Sequence, residues 1–259
     1  MKVGILAGGR GTRLGTNPAL PPKPLVEIGG KPILWHVLMQ FRHQGFNDFV
    51  IALGHRAGEI VAYFRQLAEA DRELALAVVG RGKTKAPQPA FRWRVTLVHT
   101  GKECANGSRL ARLQPWLGGS TFMLAWSDGL SDIDLADLAG FHAAQGALVS
   151  LTAVHPPSRF GVLDLEGERV RSFAEKPALD DLWVNGAYFV MEPGIFARLS
   201  AEGCDLERDV MPALALQGEL AAFRHEGFWD CMDTSADRER LQALWQCGDA
   251  PWAPWRKAA

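Results

Sequence analysis

The chain has 259 residues, 47% of them hydrophobic and 22% charged, and its 28 basic and 29 acidic side chains give a formal net charge of -1. This length suits one large domain or two small ones, with a core that needs neither disulfides nor a structural metal. The near-zero charge excludes binding to nucleic acid or to an anionic membrane through bulk positive charge. An anionic ligand must therefore be bound by a local group of residues.

The apolar runs and the cysteines narrow the class of protein further. No apolar run reaches the roughly 18 residues of a membrane-spanning helix, and the short segment before the first glycines does not have the pattern of a signal peptide. The 4 cysteines are widely spaced, without the Cys/Cys or Cys/His spacing of a zinc site. We expect reduced thiols, a cytoplasmic location, and neither nucleic acid nor membrane as a partner.

The hydrophobic pattern of the first half of the chain alternates strands with helices. Lys2–Leu6 is a short aliphatic run that ends in glycines, which is typical of a buried strand followed by a turn. Proline at a first-turn position opens a helix at Lys31-Pro32. The other expected segments are a strand at Phe49–Leu53, a helix at Ala57–Leu67, an irregular stretch over Leu67–Arg94 and an antiparallel or edge strand at Ala90–His99.

The second half continues the alternation. A central strand is predicted at Thr121–Trp126, and it ends at Ser127-Asp128-Gly129. Strands that alternate with helices indicate a parallel sheet with right-handed crossovers, so we predict one α/β domain with a mixed, mainly parallel sheet flanked by helices. The remaining predicted elements are a helix at Leu135–Ala144, a strand at Leu148–Val154, a hairpin at Gly161–Phe173, a strand at Asn185–Met191 and a helix at Asp233–Cys247.

The first strand runs into a glycine-rich loop that suits a nucleotide phosphate. In Leu6-Ala7-Gly8-Gly9-Arg10-Gly11-Thr12-Arg13-Leu14, three glycines let successive backbone N–H groups approach an anion outside the carboxyl end of a strand. The dinucleotide fingerprint and the Walker loop both fail on spacing, since Leu14 replaces the third glycine and Pro32 follows Gly30-Lys31. Taken by themselves, the three glycines could equally form an ordinary turn between a strand and a helix. The loop's hydroxyl and arginine, together with Lys23, favour a polyphosphate.

Several motifs together resemble the sugar-1-phosphate nucleotidylyltransferases. Besides the glycine loop they are Pro22-Lys23-Pro24-Leu25-Val26, Gly29-Gly30-Lys31-Pro32-Ile33-Leu34, Glu175-Lys176-Pro177 and Met232-Asp233-Thr234. Within that superfamily the chain most resembles the glucose-1-phosphate cytidylyltransferases, over nearly its full length. The resemblance implies a single Rossmann-like nucleotide-diphospho-sugar transferase domain. It also implies that CMP is transferred from CTP to α-D-glucose 1-phosphate, with release of pyrophosphate, for CDP-sugar and lipopolysaccharide biosynthesis.

This reaction fits a site without a general base. The attacking phosphate oxygen is already ionised near neutral pH, so catalysis must come from in-line positioning and charge neutralisation. Arg13 and Lys23 are the candidate catalytic residues. The resemblance implies Mg²⁺ as the cofactor, with Asp128 and Asp233 as its ligands. Taken singly, Asp128 could be a turn residue before glycine and Asp233 a helix N-cap.

The resemblance assigns the remaining site residues. Glu175, Lys176 and Asn185 correspond to residues that bind the sugar phosphate. Arg109 corresponds to an arginine of the nucleotide pocket, although with Arg112 it would otherwise form one solvated helix face. The implied nucleotide-binding residues are Leu6, Ala7, Gly8, Gly9, Arg10, Gly11, Thr12, Arg13, Lys23, Cys104, Arg109 and Asp128.

The choice of base and of sugar stays open at this level. The absent side chains at Gly8 and Gly9 leave room for a pyrimidine, but room alone does not separate cytosine from uracil. The chain departs from the family at Asn106-Gly107-Ser108-Arg109 and at Ser127. The alternatives are a uridylyl- or thymidylyltransferase, an enzyme that uses CTP with another sugar phosphate, and a non-catalytic regulator that binds nucleotide sugars.

The resemblance also implies an organisation for the whole chain. We expect one nucleotidyltransferase domain with a nucleotide-binding part over 1–130, a sugar-phosphate-binding part over 131–240 and a tail over 241–259. Tryptophans near the C-terminus, at 229, 245, 252 and 255, suggest either an apolar tail that docks on the domain or ordinary core residues. CTP and a sugar 1-phosphate are the implied partners, and a homo-oligomer, a hexamer by resemblance, is the implied assembly.

Overall fold

A computed structural model of the protein describes residues 1–9, 20–80, 91–158, 160–175 and 181–256. Its strands are β1 (Lys2–Ala7), β2 (Glu27–Ile28), β3 (Lys31–Pro32), β4 (Asp48–Leu53), β5 (Leu74–Val79), β6 (Trp93–His99), β7 (Phe122–Trp126), β8 (Gly129–Ser131), β9 (Val149–Val154), β10 (Val162–Glu166), β11 (Arg169–Ala174), β12 (Val184–Met191), β13 (Leu220–Arg224) and β14 (Trp229–Cys231). Its α-helices are α1 (Ile33–His43), α2 (Ala57–Ala70), α3 (Asn106–Ala111), α4 (Gln114–Leu117), α5 (Leu135–Gln145), α6 (Met211–Leu216) and α7 (Ser235–Gln246).

A central sheet of eight strands has the order β13-β9-β12-β7-β1-β4-β6-β5. Neighbouring strands are parallel except at β12, which is antiparallel to β7 and to β9. Side chains of β4 alternate between two apolar clusters, with Phe49 and Ile51 in one and Val50 and Ala52 in the other. Each face of the sheet is therefore covered, which explains the near-continuous apolar runs. The predicted α/β class and mixed, mainly parallel sheet are confirmed.

The predictions for the region between α2 and β6 are partly wrong. The segment expected to be an antiparallel or edge strand is β6, which lies inside the sheet and pairs in parallel with β4 and β5. The edge position belongs to β5, which falls within the stretch read as irregular. Polar Arg94 and Thr96 gave the alternating pattern, but only Arg94 and His99, near the two ends of β6, are exposed, and the middle of the strand, Thr96 included, is buried. Residues 81–90 lie outside the described part of the chain.

The parallel strands bring their carboxyl ends to one edge of the sheet. The residues after β1, β4, β6 and β7 therefore meet there, as ligand-binding loops do in open α/β sheets. Because β12 runs in the opposite direction, its first residues reach the same edge: Tyr188 pairs with Ala125, so Asn185 lies close to the level of Asp128. The predicted hairpin is confirmed as β10 paired with β11. No helix among the described residues is long and apolar enough to span a membrane.

The C-terminal segment packs against α1 and the β2–β3 turn. Trp252 is 1% exposed, and its indole N–H donates to His36 Nδ1 at 3.3 Å. Trp245 lies directly against Gly29, where a side chain would overlap its ring, and Gly29 N–H donates to Gln242 Oε1 at 2.7 Å. Of the two alternatives for the tryptophans, Trp252 belongs to the main core cluster, and Trp245 and Trp255 pack against that cluster as partly buried side chains.

His36 makes this docking dependent on pH. Its Nε2 is 2.8 Å from the carbonyl oxygen of Ile28 and its Nδ1 accepts from Trp252, so the neutral ring satisfies both contacts. Burial is the main cause that lowers the pKa of His36 to about 4. His36 is therefore protonated below about pH 6.5 in the unfolded chain but only below about pH 4 in the folded chain. The free energy of unfolding falls as the pH drops from 6.5 towards 4.

We expect the free energy of unfolding to decrease by about 2 kcal/mol between pH 7 and pH 5 through His36. Urea denaturation at both pH values measures this change. In His36→Gln, which has no titrating ring, the difference between the two pH values should shrink by that amount. An equal pH dependence in the variant and the wild type would contradict the assignment.

Candidate active site

Lys23, Asp128 and Asp233 meet at the carboxyl edge of the sheet. Lys23 begins a 3-10 turn after two prolines, Asp128 follows β7, and Asp233 lies between β14 and α7. The ammonium of Lys23 forms ion pairs with both carboxylates, and its distance to Asp233 Oδ1 is 2.6 Å. Burial alone would lower the pKa of Lys23, but the two carboxylates outweigh burial and raise it above its ordinary value. The lysine is therefore a permanent cation.

These ion pairs also test whether the site fits a divalent metal. Oxygens of Asp128 and Asp233 converge on one cation, the Lys23 ammonium, so both carboxylates can face a single positive charge. Among the described residues, no three His, Cys, Asp or Glu side chains form a complete protein-only metal site. Two carboxylates without further protein ligands suit Mg²⁺, which completes its coordination with water and substrate phosphates. The residues present thus fit the implied metal.

The alternative readings of the two aspartates are resolved by the local structure. The N-cap of α7 is Thr234, whose hydroxyl accepts from Asp237 N–H while the Asp237 carboxylate accepts from Thr234 N–H. The N-cap reading of Asp233 is therefore wrong, and its carboxylate faces Lys23 instead. Asp128 does lie in the turn after β7, where its carbonyl oxygen accepts from Met232 N–H at 3.0 Å. The turn places its carboxylate opposite Asp233.

Arg109 is buried, so the reading of a solvated helix face is wrong. The residue is 4% exposed, and its guanidinium donates to Thr100 Oγ1 at 2.9 Å, to the Gly101 carbonyl at 2.7 Å and to the Lys102 carbonyl at 3.1 Å. Burial lowers the pKa of Arg109 from its ordinary value. The side chain crosses from α3 to the loop after β6 and holds that loop in place.

The same guanidinium fills space that we expected to be open. A Cβ at Gly8 would lie 2.4 Å from Arg109 Nη1, and a Cβ at Gly54 would lie 2.3 Å from the same atom. The space that a Gly8 side chain would take is therefore occupied by Arg109. No described atom would lie within 4 Å of a Cβ at Gly9, but residues 10–19 lie outside the described part of the chain, so room for a base there stays a prediction. Leu6 and Ala7, at the end of β1, are buried.

A cavity of about 590 Å³ lies beside this arginine, between the ends of β4 and β6 and the start of α2. Its lining includes Gly54, His55, His99, Thr100 and Lys102. Its volume falls in the range of small-molecule sites, and its polar and basic side chains suit an anionic ligand. The half-buried Cys104 follows the same loop.

The two residues predicted to bind the sugar phosphate that the structure describes, Asn185 and Glu175, lie at the surface. Asn185 is exposed, and its Oδ1 accepts from Ala187 N–H at 2.9 Å within an irregular part of the β12–β9 pairing. Ala187 has a positive φ of 62°, a conformation that is costly for a residue with a Cβ. The carbonyl of Gly186 accepts from the Trp229 indole at 2.8 Å. Glu175 is exposed after β11.

Several predicted site residues lie outside the described part of the chain. They are Arg10, Gly11, Thr12, Arg13 and Lys176. Their roles stay predictions from the sequence. The described residues bring together Lys23, Asp128 and Asp233 at one point, and Gly8 with Arg109 at another.

Asn106, where the chain departs from the family, has a structural role. Its Oδ1 accepts from Leu206 N–H at 2.8 Å, and its Nδ2 donates to Glu207. The neighbouring Ser108 Oγ accepts from Cys204 N–H at 2.9 Å. These contacts fasten α3, and with it Arg109, to the segment before α6.

A Ser-His-Asp group, in which Ser131 is buried and Asp132 is exposed, lacks the arrangement of a hydrolase triad. Ser131 Oγ is 3.1 Å and Asp132 Oδ1 is 3.0 Å from the same nitrogen, His225 Nε2. A triad uses the two ring nitrogens separately, one for the nucleophile and one for the carboxylate. Ser131 Oγ also donates to the Phe228 carbonyl at 2.8 Å. This group fastens the segment before β14 to β8.

Asp230, Asp237 and Arg240 form a charged network beside Asp233 that the sequence pattern did not predict. Arg240 forms ion pairs with both aspartates, and both are nearly fully buried. The pattern Thr234-x-x-Asp237 ahead of a helix was a usable signal for the cap. The pairing of Asp230 with Arg240 had no comparable signal, because it joins a strand to a helix.

Comparison with known proteins shows the family to which the chain belongs. Residues 2–235 match the family described as Nucleotidyl transferase. Proteins of Salmonella typhi and Salmonella typhimurium, both named glucose-1-phosphate cytidylyltransferase, are each 40% identical over 256 residues, which cover 98% of this chain and 100% of the relative. The solved structure of HddC from Yersinia pseudotuberculosis has the same fold, with a TM-score of 0.66 at 20% identity, covering 94% of this chain and 99% of that chain. The chain belongs to the nucleotidyl transferase family.

Proposed function

We propose that the protein is a Mg²⁺-dependent glucose-1-phosphate cytidylyltransferase, which forms CDP-glucose and pyrophosphate from CTP and α-D-glucose 1-phosphate. The convergence of Lys23, Asp128 and Asp233 on one point at the ligand edge of the sheet carries this proposal. The substrates follow from the relatives that share 40% identity over the full length. We also propose that the enzyme acts in the cytoplasm and that its product is used in lipopolysaccharide biosynthesis.

The chain's own residues supply positioning and charge. The acceptor phosphate is ionised near neutral pH, so the site needs no base to activate it. Lys23 provides a cation that can turn from the carboxylates to the α-phosphate or to the departing pyrophosphate. When bound, Mg²⁺ neutralises phosphate charge, and Asp128 and Asp233 would hold it. Arg109 fixes the loop after β6 against the end of β1, and so shapes the nucleotide side of the cleft.

A homo-oligomer is part of the proposal, and the β10–β11 hairpin supports it. Leu163, Leu165 and Phe173 are 48%, 58% and 64% exposed in the single chain. An apolar surface of this kind on a soluble domain commonly marks a contact with another protein. Light scattering on purified protein should give a multiple of 28.3 kDa, and a hexamer is the expected multiple. A monomeric mass at all concentrations would contradict this assembly.

The function is tested by a matrix of four nucleoside triphosphates against several sugar 1-phosphates, assayed for pyrophosphate. We expect CTP with α-D-glucose 1-phosphate to give the highest kcat/KM, loss of activity in EDTA, and recovery on addition of Mg²⁺. A preference for UTP or dTTP would contradict the cytidylyltransferase assignment and identify a uridylyl- or thymidylyltransferase instead. Binding of CTP without turnover of any sugar phosphate would instead identify a non-catalytic regulator.

A further inference from the structure

Two buried carboxylates lie directly beside Asp233 and are bridged by one arginine. Asp230 is 3% and Asp237 is 2% exposed. Arg240 donates through Nε and Nη2 to the two oxygens of Asp230, both at 2.7 Å, and through Nη2 to Asp237 Oδ1 at 2.9 Å. The paired, planar contact with Asp230 is one that guanidinium makes and ammonium does not.

The second oxygen of Asp237 holds the backbone that carries Asp233. Asp237 Oδ2 accepts from Asp233 N–H at 3.0 Å and from Thr234 N–H at 2.8 Å. The orientation of the Asp233 main chain is therefore fixed from the helix, through a carboxylate that Arg240 itself holds.

Asp230 connects the same arginine to the segment that carries Asp128. Its strand, β14, pairs with β8, which begins immediately after Asp128, and Cys231 is opposite Gly129. The ladder between β8 and β14 has three residue pairs, so few backbone hydrogen bonds fix its register. Arg240 joins this short ladder, through Asp230, to Asp237 at the start of α7. Asp233, which must face Asp128, lies between these two contacts.

The charges around the site explain why an arginine is needed. Four carboxylates, Asp128, Asp230, Asp233 and Asp237, lie close together, and Lys23 and Arg240 form ion pairs with them. Without Arg240, the two buried carboxylates Asp230 and Asp237 would lose the cation that bridges them, and their repulsion of the Asp233 segment would increase. A buried charge that loses its partner is strongly destabilising, and moving the segment away relieves the repulsion.

We propose that Arg240 and Asp237 are positioning residues that hold the Asp233 carboxylate in register with Asp128 and thereby set the affinity of the site for a divalent cation. This inference rests on the proposed function for the identity of the metal site. It assigns to both residues a role in metal binding that does not involve contact with substrate.

The test compares Arg240→Met with Arg238→Met, a matched control. Arg238 lies on the same helix, is exposed, and donates to the Glu27 carbonyl at 3.3 Å, so its replacement removes the same charge without touching the network. Binding of Mn²⁺ to the substrate-free protein, followed by electron paramagnetic resonance, is the readout. We expect the Kd for Mn²⁺ to rise at least about tenfold in Arg240→Met and to stay within about twofold in Arg238→Met. Arg240→Lys should recover part of the loss, because it keeps the charge but not the paired contact.

Asp237→Asn provides a second variant in case Arg240→Met does not fold. Asparagine keeps an acceptor for the helix cap but weakens the contact with Arg240, so an intermediate rise in the Mn²⁺ Kd is expected. A folded Arg240→Met or Asp237→Asn protein with wild-type Mn²⁺ affinity would overturn the proposal. So would an equal loss in Arg238→Met. The wild-type protein in the nucleotide matrix tests the proposed function separately, since a failed turnover there leaves the comparison of Mn²⁺ affinities intact.

Discussion

Replacement of Lys23 by methionine is expected to reduce kcat by about 10²- to 10³-fold, the loss seen when one preorganised charge-stabilising donor is removed. The structure predicts a second effect. Lys23 pairs with Asp128 and Asp233, whose side chains are only 19% and 12% exposed, so the variant leaves two adjacent, partly buried carboxylates without their cation. We expect the variant to be about 2 kcal/mol less stable than the wild type in EDTA.

A divalent cation should reverse the second effect but not the first. Mg²⁺ can neutralise the carboxylates, so the melting temperature of Lys23→Met should rise more on addition of Mg²⁺ than that of the wild type. Calorimetric melting with and without Mg²⁺, beside steady-state kinetics, measures both effects. Lys31→Met is the control, because Lys31 is exposed and contacts the Trp35 ring rather than the carboxylates. Equal responses of the variant and the wild type to Mg²⁺ would contradict a shared cation site.

Replacement of Gly54 by alanine is expected to damage both the fold and the nucleotide side of the site. The added Cβ would lie 2.3 Å from Arg109 Nη1 and 2.4 Å from the Gly8 carbonyl oxygen. That carbonyl also accepts from His55 N–H at 3.2 Å, so the ends of β1 and β4 must separate. We expect a loss of about 2–3 kcal/mol in the free energy of unfolding, the size of a core overpacking effect. Affinity for CTP should fall at least about 100-fold, because the Gly8 loop and Arg109 move together.

Gly58→Ala is the matched control for this prediction. Gly58 lies four residues further on, within α2, and a Cβ there would have no described atom within 4 Å. Alanine favours a helix over glycine, so this variant should gain about 0.5–1 kcal/mol and keep its affinity for CTP. Urea denaturation and calorimetric titration with CTP measure the pair. A Gly54→Ala protein as stable as the wild type would show that the contact between Gly54 and Arg109 is loose.

Local pattern was sufficient for most of the secondary structure. The aliphatic runs of β1, β4 and β7 and the helical spacing of α1 predicted these elements to within a few residues. The pattern failed at β5 and β6. In β6, Arg94 and Thr96 alternate with Trp93, Val95 and Leu97, although Thr96 is buried. The position of the strand inside the sheet depends on which neighbour pairs with it, and periodicity does not contain that information.

For the site, the sequence by itself determined which phosphate-binding and carboxylate residues are present. The glycine loop, Lys23 and an aspartate after a central strand indicated a phosphate site at the carboxyl edge of the sheet, because strand direction alone places those residues together. The motifs also indicated the second aspartate, Asp233. Arg13 and Lys176 stay predictions at this level.

Only the tertiary structure decided which groups face one another. Lys23 and Asp233 are 210 positions apart, and their contact depends on the short β8–β14 ladder and on the cap of α7. Arg109 could equally have been a surface residue on a helix, and its burial follows from the absence of side chains at Gly8 and Gly54. Periodicity reports the local environment of each residue, whereas contacts over such distances depend on strand register and close packing.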